Sequence, residues 1–180
     1  MTHNIFVPSA IAARNVDSYV RNAVHATEAV DNGWLVKLTT VSATAGEGEV
    51  FTAVVPSTSA GLTNLHIVYD AGFTLTDSRY TGLDPDPRNY SIPALKVFSV
   101  FRPQLGDIFV TTADGLAGTQ STNTFVNATD STGGFKMLWG STQTSSVFSA
   151  KLLATTYISI GSGAIDSGRV TAFKFEVVGL

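Results

Sequence analysis

The alternation of side chains in the C-terminal segment places the strongest constraint on the fold. From Thr171 to Val177 every second residue is Thr, Phe or Val, whereas Lys174 and Glu176 occupy the other face. A period of two residues is that of a β-strand with one face on a core. The preceding run, Leu152–Ile160, is uncharged and rich in Thr and Ile, and a glycine-rich loop follows it. We predict a β-hairpin that closes the fold and acts as its frame rather than as its binding surface.

Similar strand patterns recur along the chain at spacings of roughly 8–20 residues, which favours an all-β fold. The clearest runs are Trp34–Val41, Glu49–Val55, Leu65–Tyr69, Lys96–Phe101, Ile108–Thr112, Thr124–Asn127 and Phe135–Trp139. Asn32-Gly33 between two apolar runs predicts a hairpin that pairs Val24–Val30 with the following strand. Residues 11–30 also fit a helical spacing. We expect one β domain over residues 11–180, an antiparallel β-barrel or β-sandwich of about nine or ten strands.

The first ten residues have the character of an extended N-terminal arm. Ile5, Phe6 and Val7 are apolar, and Pro8 interrupts regular structure. Such an arm could add a strand to a neighbouring chain. The alternative is that it folds back onto its own core.

A long irregular loop is predicted over residues 70–93. Within it, Asp84 and Asp86 each precede a proline, and Arg88 and Tyr90 follow. Alternating prolines hold the backbone extended, so a rigid, shaped loop in which Arg88 pairs with a carboxylate is the preferred interpretation. The two carboxylates could also contribute to a calcium site, but the glycine and closing glutamate of a calcium-binding loop are missing.

The charge content argues against several classes of function. Only 14% of the residues are charged, about half the usual share, and the formal net charge is −3. The 11 Lys and Arg residues are scattered, so we expect no nucleic-acid partner. No run is long enough for a membrane-spanning helix, and the N-terminus lacks the features of a signal peptide, so we expect no membrane partner. A weakly charged surface suits a protein that buries much of itself against partners.

The candidate chemical groups do not form a known catalytic or metal-binding pattern. The chain has no cysteine, and His3, His25 and His66 lie in separate segments without metal-ligand spacing. No nucleophile elbow or phosphate-binding glycine loop occurs, and Glu47 and Glu49 flank a turn glycine without an evident cleft. We therefore expect no enzyme activity, no metal and no cofactor.

Four stretches, taken in order, resemble a family of small head proteins of tailed bacteriophages. These stretches are Asn4-Ile5-Phe6-Val7-Pro8, Val16-Asp17-Ser18-Tyr19-Val20, Gly82–Tyr90 and Leu152–Gly161. Members of that family are typically encoded beside the major capsid protein and are regarded as decoration or cement proteins. None of the four stretches is a chemical signature, so the resemblance implies a role and not a mechanism.

The resemblance implies a structural virion protein that is made in the host cytoplasm and binds the outer capsid surface. Its partners would be the major capsid protein and further copies of itself, and it would stabilise the contacts between capsid subunits. We expect the arm (Ile5, Phe6, Val7, Pro8) and the proline loop (Asp84, Asp86, Arg88, Tyr90) to form the interface. The alternative function is a receptor- or glycan-binding virion module that uses Trp34, Trp139 or loop tyrosines for stacking.

Overall fold

A computed structural model of the chain describes residues 3–42, 48–56, 62, 64–70, 87–129, 134–144, 147–159 and 168–180. Within these residues there are twelve β-strands, four short 3-10 turns and no α-helix. The strands are β1 (Phe6–Ala10), β2 (Val20–Val24), β3 (Leu35–Val41), β4 (Val50–Val54), β5 (Leu65–Val68), β6 (Val97–Phe101), β7 (Ile108–Thr112), β8 (Leu116–Ala117), β9 (Phe125–Asn127), β10 (Met137–Gly140), β11 (Ser149–Ser159) and β12 (Arg169–Gly179). The 3-10 turns are Ala12–Arg14, Asp17–Tyr19, Pro87–Asn89 and Ala113–Gly115.

Seven strands form one mixed sheet in the order β1-β7-β12-β11-β9-β10-β8. The hairpin of β11 and β12 lies in the middle of this order, and its two strands pair antiparallel from Ser149–Gly179 to Ser159–Arg169. Phe173, Phe175 and Val177 are buried, as their alternation predicts. The predicted closing hairpin is therefore confirmed, but its core face only in part, because Thr171 is exposed and Ala172 on the opposite face is buried.

The remaining five strands form a closed barrel in the order β2-β4-β3-β5-β6. β2 closes it by pairing antiparallel with β6 and parallel with β4. The all-β prediction is confirmed, although the molecule combines a barrel with an open sheet and has more strands than expected. Two of its strand pairs, β2 with β4 and β10 with β8, are parallel rather than antiparallel.

The hairpin predicted around Asn32-Gly33 is wrong, because β2 does not pair with β3. The Asn32 side chain instead accepts a hydrogen bond from the Asp70 backbone N–H (2.7 Å) and donates one to the Asp70 carbonyl (3.1 Å). The N–H of Gly33, which has a φ of +81°, donates to the Val68 carbonyl at 2.8 Å. These bonds join the turn to the end of β5 and leave residues 25–30 outside the strands.

Two apolar clusters hold the molecule together. The larger one lies where the sheet packs against the barrel, and it contains barrel residues such as Leu35, Ile67 and Phe101 beside sheet residues such as Phe109 and Phe175. The smaller one fills the barrel, with Ala23, Val36, Ala53, Val68, Phe98 and Val100 among its members. Because successive strand residues face opposite sides, each barrel strand supplies one face to the barrel interior and the other to its outside.

The N-terminal segment is a strand of the domain's own sheet and not a separate arm. β1 pairs antiparallel with β7 at the edge of the sheet. Phe6 packs on Phe109 and Phe101, with ring centroids 5.4 and 6.1 Å apart. The alternative in which this segment folds back is the one observed, because Phe6 fills the space between barrel and sheet.

Asn4 fixes the entry to β1 through a buried network of hydrogen bonds. Its Oδ1 accepts from the Thr111 and Thr112 hydroxyls at 2.9 and 2.8 Å, and its Nδ2 donates to the Asn32 carbonyl at 2.7 Å. Gly33 packs so closely that a Cβ on it would lie 2.6 Å from Asn4 Nδ2. Asn4 thus connects a strand of the sheet to the turn that begins β3.

Candidate partner interface

The closing hairpin extends beyond the sheet to which it belongs. β11 pairs with β9 only at Ser149–Lys151, and β12 pairs with β7 only at Ala172–Glu176. In the part of the chain that the structure describes, residues 154–159 of β11 pair with β12 alone, Leu153 is an extra residue at a register shift, and residues 169–171 of β12 pair with β11 alone. We call residues 153–159 and 169–171 together the ribbon. Residues 157–159 and 169–171 project beyond the sheet, whereas residues 153–156 form an open edge beside the part of β12 that pairs with β7.

The ribbon presents apolar and hydroxyl side chains to solvent. Leu153 is 45% exposed and Tyr157 is 59% exposed, and Ala154, Thr155 and Ser159 are also exposed. Its β11 strand carries no charge between Lys151 and Ser159, and its β12 strand carries only Arg169. Exposed aromatic and aliphatic side chains with few charges are typical of the centre of a protein–protein interface.

The outer edge of β11 along the ribbon has no strand beside it among the described residues. The last backbone bond on that side is from the Leu152 N–H to the Thr124 carbonyl, at 2.8 Å. A register shift between Leu152 and Ala154 places Leu153 as an extra residue at the start of this edge. Open edges in natural proteins are usually blocked by proline, charge or a bulge. Beyond the register shift at Leu153, residues 154–159 contain no proline, no charge and no further register shift. This edge can therefore accept a strand from another chain.

β1, which was predicted to bind a partner, is an edge strand of the same sheet, and its edge is blocked. Pro8 has no backbone N–H to offer, and the register shifts between Pro8 and Ala10. Arg14 Nη2 donates to the Pro8 carbonyl at 3.2 Å, so this carbonyl is already engaged within the chain. The contrast with β11 indicates that the ribbon, and not β1, is the edge that can extend the sheet.

Most of the predicted interface residues in the N-terminal segment are turned inward. Ile5 and Phe6 are buried, and the Ile5 N–H donates to Thr112 Oγ1 at 3.1 Å. Pro8 is buried and lines an apolar groove of about 360 Å³ beside Tyr69 and Phe101. Val7, at 42% exposed, is the one of these four that reaches solvent.

The proline loop is described only at its end, so Asp84 and Asp86 lie outside the described residues. The Arg88 carbonyl accepts a hydrogen bond from the His3 N–H at 2.7 Å, which brings the end of this loop beside the N-terminal segment. Tyr90 is partly buried and packs against the cluster that fills the barrel.

Tyr90 belongs to an internal polar cluster with Asp70 and Lys96. Its hydroxyl donates to Asp70 Oδ2 at 2.8 Å, and Lys96 Nζ lies 3.4 Å from both the hydroxyl and the carboxylate. Burial and the hydrogen bond to Asp70 raise the pKa of Tyr90. Burial acts to lower the pKa of Lys96, but contact with Tyr90 and the Asp70 charge outweigh it, so that pKa is raised. These contacts hold Tyr90 in place within its own chain.

The tryptophans that the alternative function requires are engaged inside the molecule. Trp139 is buried and packs edge-on against Phe173, with ring centroids 5.2 Å apart. Trp34 stacks on Phe135 at 5.2 Å, and Lys136 Nζ lies 6.0 Å from the centre of its ring. These contacts occupy the ring surfaces on which a sugar would stack.

The histidines remain in separate environments. His3 Nδ1 lies 2.9 Å from the Asp31 carboxylate, and His25 packs edge-on against Phe135. Burial is the main influence on Asp31 and raises its pKa, although the His3 ring opposes that effect. Across the residues that the structure describes, no three His, Asp or Glu side chains converge as a metal site would require. Those residues also contain no helix long and apolar enough to cross a membrane.

Comparisons with protein-family models, with curated proteins and with solved structures found no match to this chain.

Sequence reasoning missed the ribbon because it treated the whole hairpin as core. The alternation over Phe173–Val177 predicts burial only for that part of β12. It does not predict how far the neighbouring strands extend. The available signal was length: the uncharged run Leu152–Ile160 is longer than most of the other predicted strands. A strand longer than its neighbours must leave part of itself unpaired.

Proposed function

We propose that this chain is a structural virion protein that binds the outer surface of a phage capsid and stabilises the contacts between capsid subunits. The observation that carries the proposal is the ribbon, an exposed and nearly uncharged pair of strands with one open edge. Four stretches of the sequence resemble phage decoration proteins, and the last of them, Leu152–Gly161, contains the β11 strand of the ribbon. The proposal includes no catalysis and no cofactor.

In the proposed mechanism the ribbon docks on the major capsid protein. Its open edge offers backbone N–H and C=O groups to a strand of a capsid subunit, while Leu153 and Tyr157 pack into apolar positions beside that strand. A contact that bridges two subunits opposes their separation under the pressure of packaged DNA. Because the capsid lattice repeats, many weak contacts act together on one shell. Further copies of the chain on the shell are the second expected partner.

The test uses capsids assembled from the major capsid protein of the same genome without this chain. Purified chain should sediment with these capsids and raise their melting temperature. Leu153→Lys and Tyr157→Lys should each weaken binding by about tenfold or more, since a desolvated apolar anchor is replaced by a charge. Leu105→Lys is the matched control, because Leu105 is 66% exposed and lies outside the ribbon.

Two outcomes would reject the proposal. In one, the wild-type chain neither sediments with the capsids nor stabilises them. In the other, it binds host cells instead of capsids, which is the behaviour of a receptor-binding module. Val7→Lys tests the N-terminal segment separately, since deletion of residues 2–8 would also remove the buried Asn4 and Phe6. Binding that is lost in Val7→Lys but kept in Tyr157→Lys would place the interface on β1.

A further inference from the structure

The barrel interior changes from apolar to basic at one end. Side chains of Ala23, Val36, Val68, Phe98 and Val100 fill most of the barrel. The next inward-facing positions on three of these strands are different in kind. They are Arg21 on β2, His66 on β5 and Arg102, which directly follows β6.

The strand register places these three side chains at the same mouth of the barrel. Arg21 pairs with Val100, so it shares the inward face of that residue. Ile67 pairs with Phe101, which sets His66 beside Arg102 one position further along. The Arg102 N–H donates to the Tyr19 carbonyl at 2.8 Å, so the chain before β2 closes on the same end.

Each basic side chain at this mouth is oriented by a contact of its own. Arg21 Cζ lies 5.6 Å from the centre of the Phe51 ring, and Arg102 Nη2 donates to Asn64 Oδ1 at 3.0 Å. His66 Nδ1 lies 3.1 Å from the Asn64 carbonyl oxygen. Since a carbonyl only accepts, Nδ1 carries the proton, and Nε2 of the neutral ring is left as an acceptor.

A cavity of about 420 Å³ opens at this mouth. Its basic groups are Arg21, Arg102 and His66, and Leu38, Phe51 and Tyr19 add apolar and aromatic surface. No carboxylate belongs to the lining among the described residues. The volume is larger than a single phosphate or carboxylate group requires, and it lies within the range of about 300–1,000 Å³ that is typical of small-molecule sites.

Burial, together with the charges of Arg102 and Arg21, lowers the pKa of His66 to about 4. Because Arg21 and Arg102 line the cavity and no carboxylate among the described residues does, the cavity has a positive potential that an anionic ligand would neutralise. Arginine suits this task because its fork of N–H donors matches the two oxygens of a carboxylate or phosphate.

We propose that the barrel mouth binds a small anionic sugar, either a sugar phosphate or a sugar acid. Arg21 and Arg102 hold the oxyanion, His66 Nε2 accepts a hydrogen bond from a ring hydroxyl, and Leu38 packs against the C–H surface of the sugar. Mouths of β-barrels are a common location for such sites. The ribbon and this cavity involve different residues, so the site does not depend on the proposed capsid function.

The experiment titrates the full-length chain with glucose 6-phosphate, glucuronate, glucose and inorganic phosphate at low ionic strength, where charge attraction is least screened. Binding is measured by calorimetry, and the His66 Nε2 resonance in NMR spectra reports whether the ligand occupies the mouth. At least one of the two anionic sugars should bind with a dissociation constant below about 1 mM and shift that resonance. Glucose should not bind, and inorganic phosphate should bind at least about tenfold more weakly.

Variants separate this site from general attraction to positive charge. Arg21→Gln and Arg102→Gln should each weaken binding by about tenfold, because each removes a charge-assisted hydrogen bond. Arg169→Gln, at the far end of the hairpin, is the matched control and should bind as the wild type does. Arg21→Lys keeps the charge, so its affinity should lie between that of Arg21→Gln and that of the wild type.

Several results would overturn the proposal. They are the absence of binding by both anionic sugars, equal binding of glucose, equal binding of inorganic phosphate, and affinities that neither arginine variant changes. Loss of affinity in Arg169→Gln to the same degree would show attraction to the net charge of the chain rather than a site. Arg21 and Arg102 are both exposed, so the variants are expected to fold, and their far-UV spectra verify this.

Discussion

At the residue scale, Asn4 illustrates how one polar side chain joins the two halves of the fold. It is 3% exposed, and its amide reaches the end of β7 on one side and the turn before β3 on the other. A buried hydrogen-bonding group that loses its partner costs far more than the bond itself contributed. The residue therefore holds β1 against the body more firmly than the apolar pattern of Ile5, Phe6 and Val7 suggests.

Asn4→Ala should lower the free energy of unfolding by about 2–4 kcal/mol, because it leaves the Thr111 and Thr112 hydroxyls and the Asn32 carbonyl without their partner. Chemical denaturation with urea measures the change. Asn22→Ala, on an exposed position of β2, is the control and should stay within about 0.5 kcal/mol of the wild type. A similarly small effect for Asn4→Ala would show that the segment before β1 is not anchored.

His66 makes the stability of the protein depend on pH. Its pKa is lowered from 6.5 to about 4 in the folded state, chiefly by burial and further by Arg102 and Arg21. Between these two values the unfolded chain binds a proton that the folded chain does not, so stability rises with pH. The part of the free energy of unfolding that depends on His66 should be constant above pH 6.5 and should decline as the pH falls towards about 4.

The expected contribution of His66 over this range is between about 1 and 3 kcal/mol. His66→Asn keeps a donor for the Asn64 carbonyl and cannot titrate. The stability of the wild type relative to this variant should therefore fall by that amount between pH 7 and pH 4. Urea denaturation at intervals between pH 4 and pH 7 measures it. Asp31, whose pKa is raised, has the opposite slope, but it is present in both proteins and cancels. Parallel curves for the two proteins would contradict the prediction.

At the element scale, the two strands of the closing hairpin each serve two purposes along their length. Near the sheet, Phe173 and Phe175 are part of the large core. Beyond it, the ribbon contributes little to that core, and its exposed side chains are available to a partner. The residues that stabilise the fold and the residues that can contact a partner therefore lie in different parts of one hairpin. The boundary is the point at which β7 and β9 end.

This division predicts unequal effects of alanine substitutions within the hairpin. Tyr157→Ala should change the free energy of unfolding by no more than about 0.5 kcal/mol, whereas Phe175→Ala should lower it by about 3–5 kcal/mol. Urea denaturation provides both values. Hydrogen exchange should be faster at residues 155–159 than at residues 173–177, because local opening of the ribbon breaks few buried contacts. A large loss in Tyr157→Ala would mean that the ribbon packs on the body.

At the scale of the whole molecule, barrel and sheet share one core and should unfold together. Barrel residues such as Leu35 and Phe101 contact the same cluster as Phe109 and Phe175 of the sheet. Separation of the two parts would expose this cluster to water, at a cost of roughly 25 cal/mol for each Å² of apolar surface. A half-folded state is therefore unfavourable.

The two tryptophans allow a direct test of this coupling. Trp34→Phe leaves Trp139 as the fluorescent probe in the sheet, and Trp139→Phe leaves Trp34 as the probe at the barrel. Trp34 Nε1 has no hydrogen-bond partner among the described residues, so its replacement loses none. In each variant the urea midpoint from fluorescence should coincide with the midpoint from far-UV circular dichroism. Two separated midpoints would show that barrel and sheet unfold independently.

The sequence by itself determined the class of the fold and the local identity of most strands. Runs such as Ile108–Thr112 and Thr171–Val177 alternate because a strand has only two faces, and that relation is local. The sequence also assigned the N-terminal segment and the proline loop to an interface, and this assignment stays a prediction. Asp84 and Asp86, which lie outside the described residues, remain part of that prediction.

Tertiary structure decided which strands are neighbours, and with that it decided where the candidate sites lie. Asn32-Gly33 has the local chemistry of a hairpin, but bonds to Val68 and Asp70 redirect it, because long-range hydrogen bonds outweigh a turn preference. Arg21, His66 and Arg102 are far apart in sequence, and only barrel closure brings them to one mouth. The ribbon is exposed because β9 and β7 are shorter than β11 and β12. Exposure of this kind depends on the lengths of neighbouring strands, which no residue in the hairpin encodes.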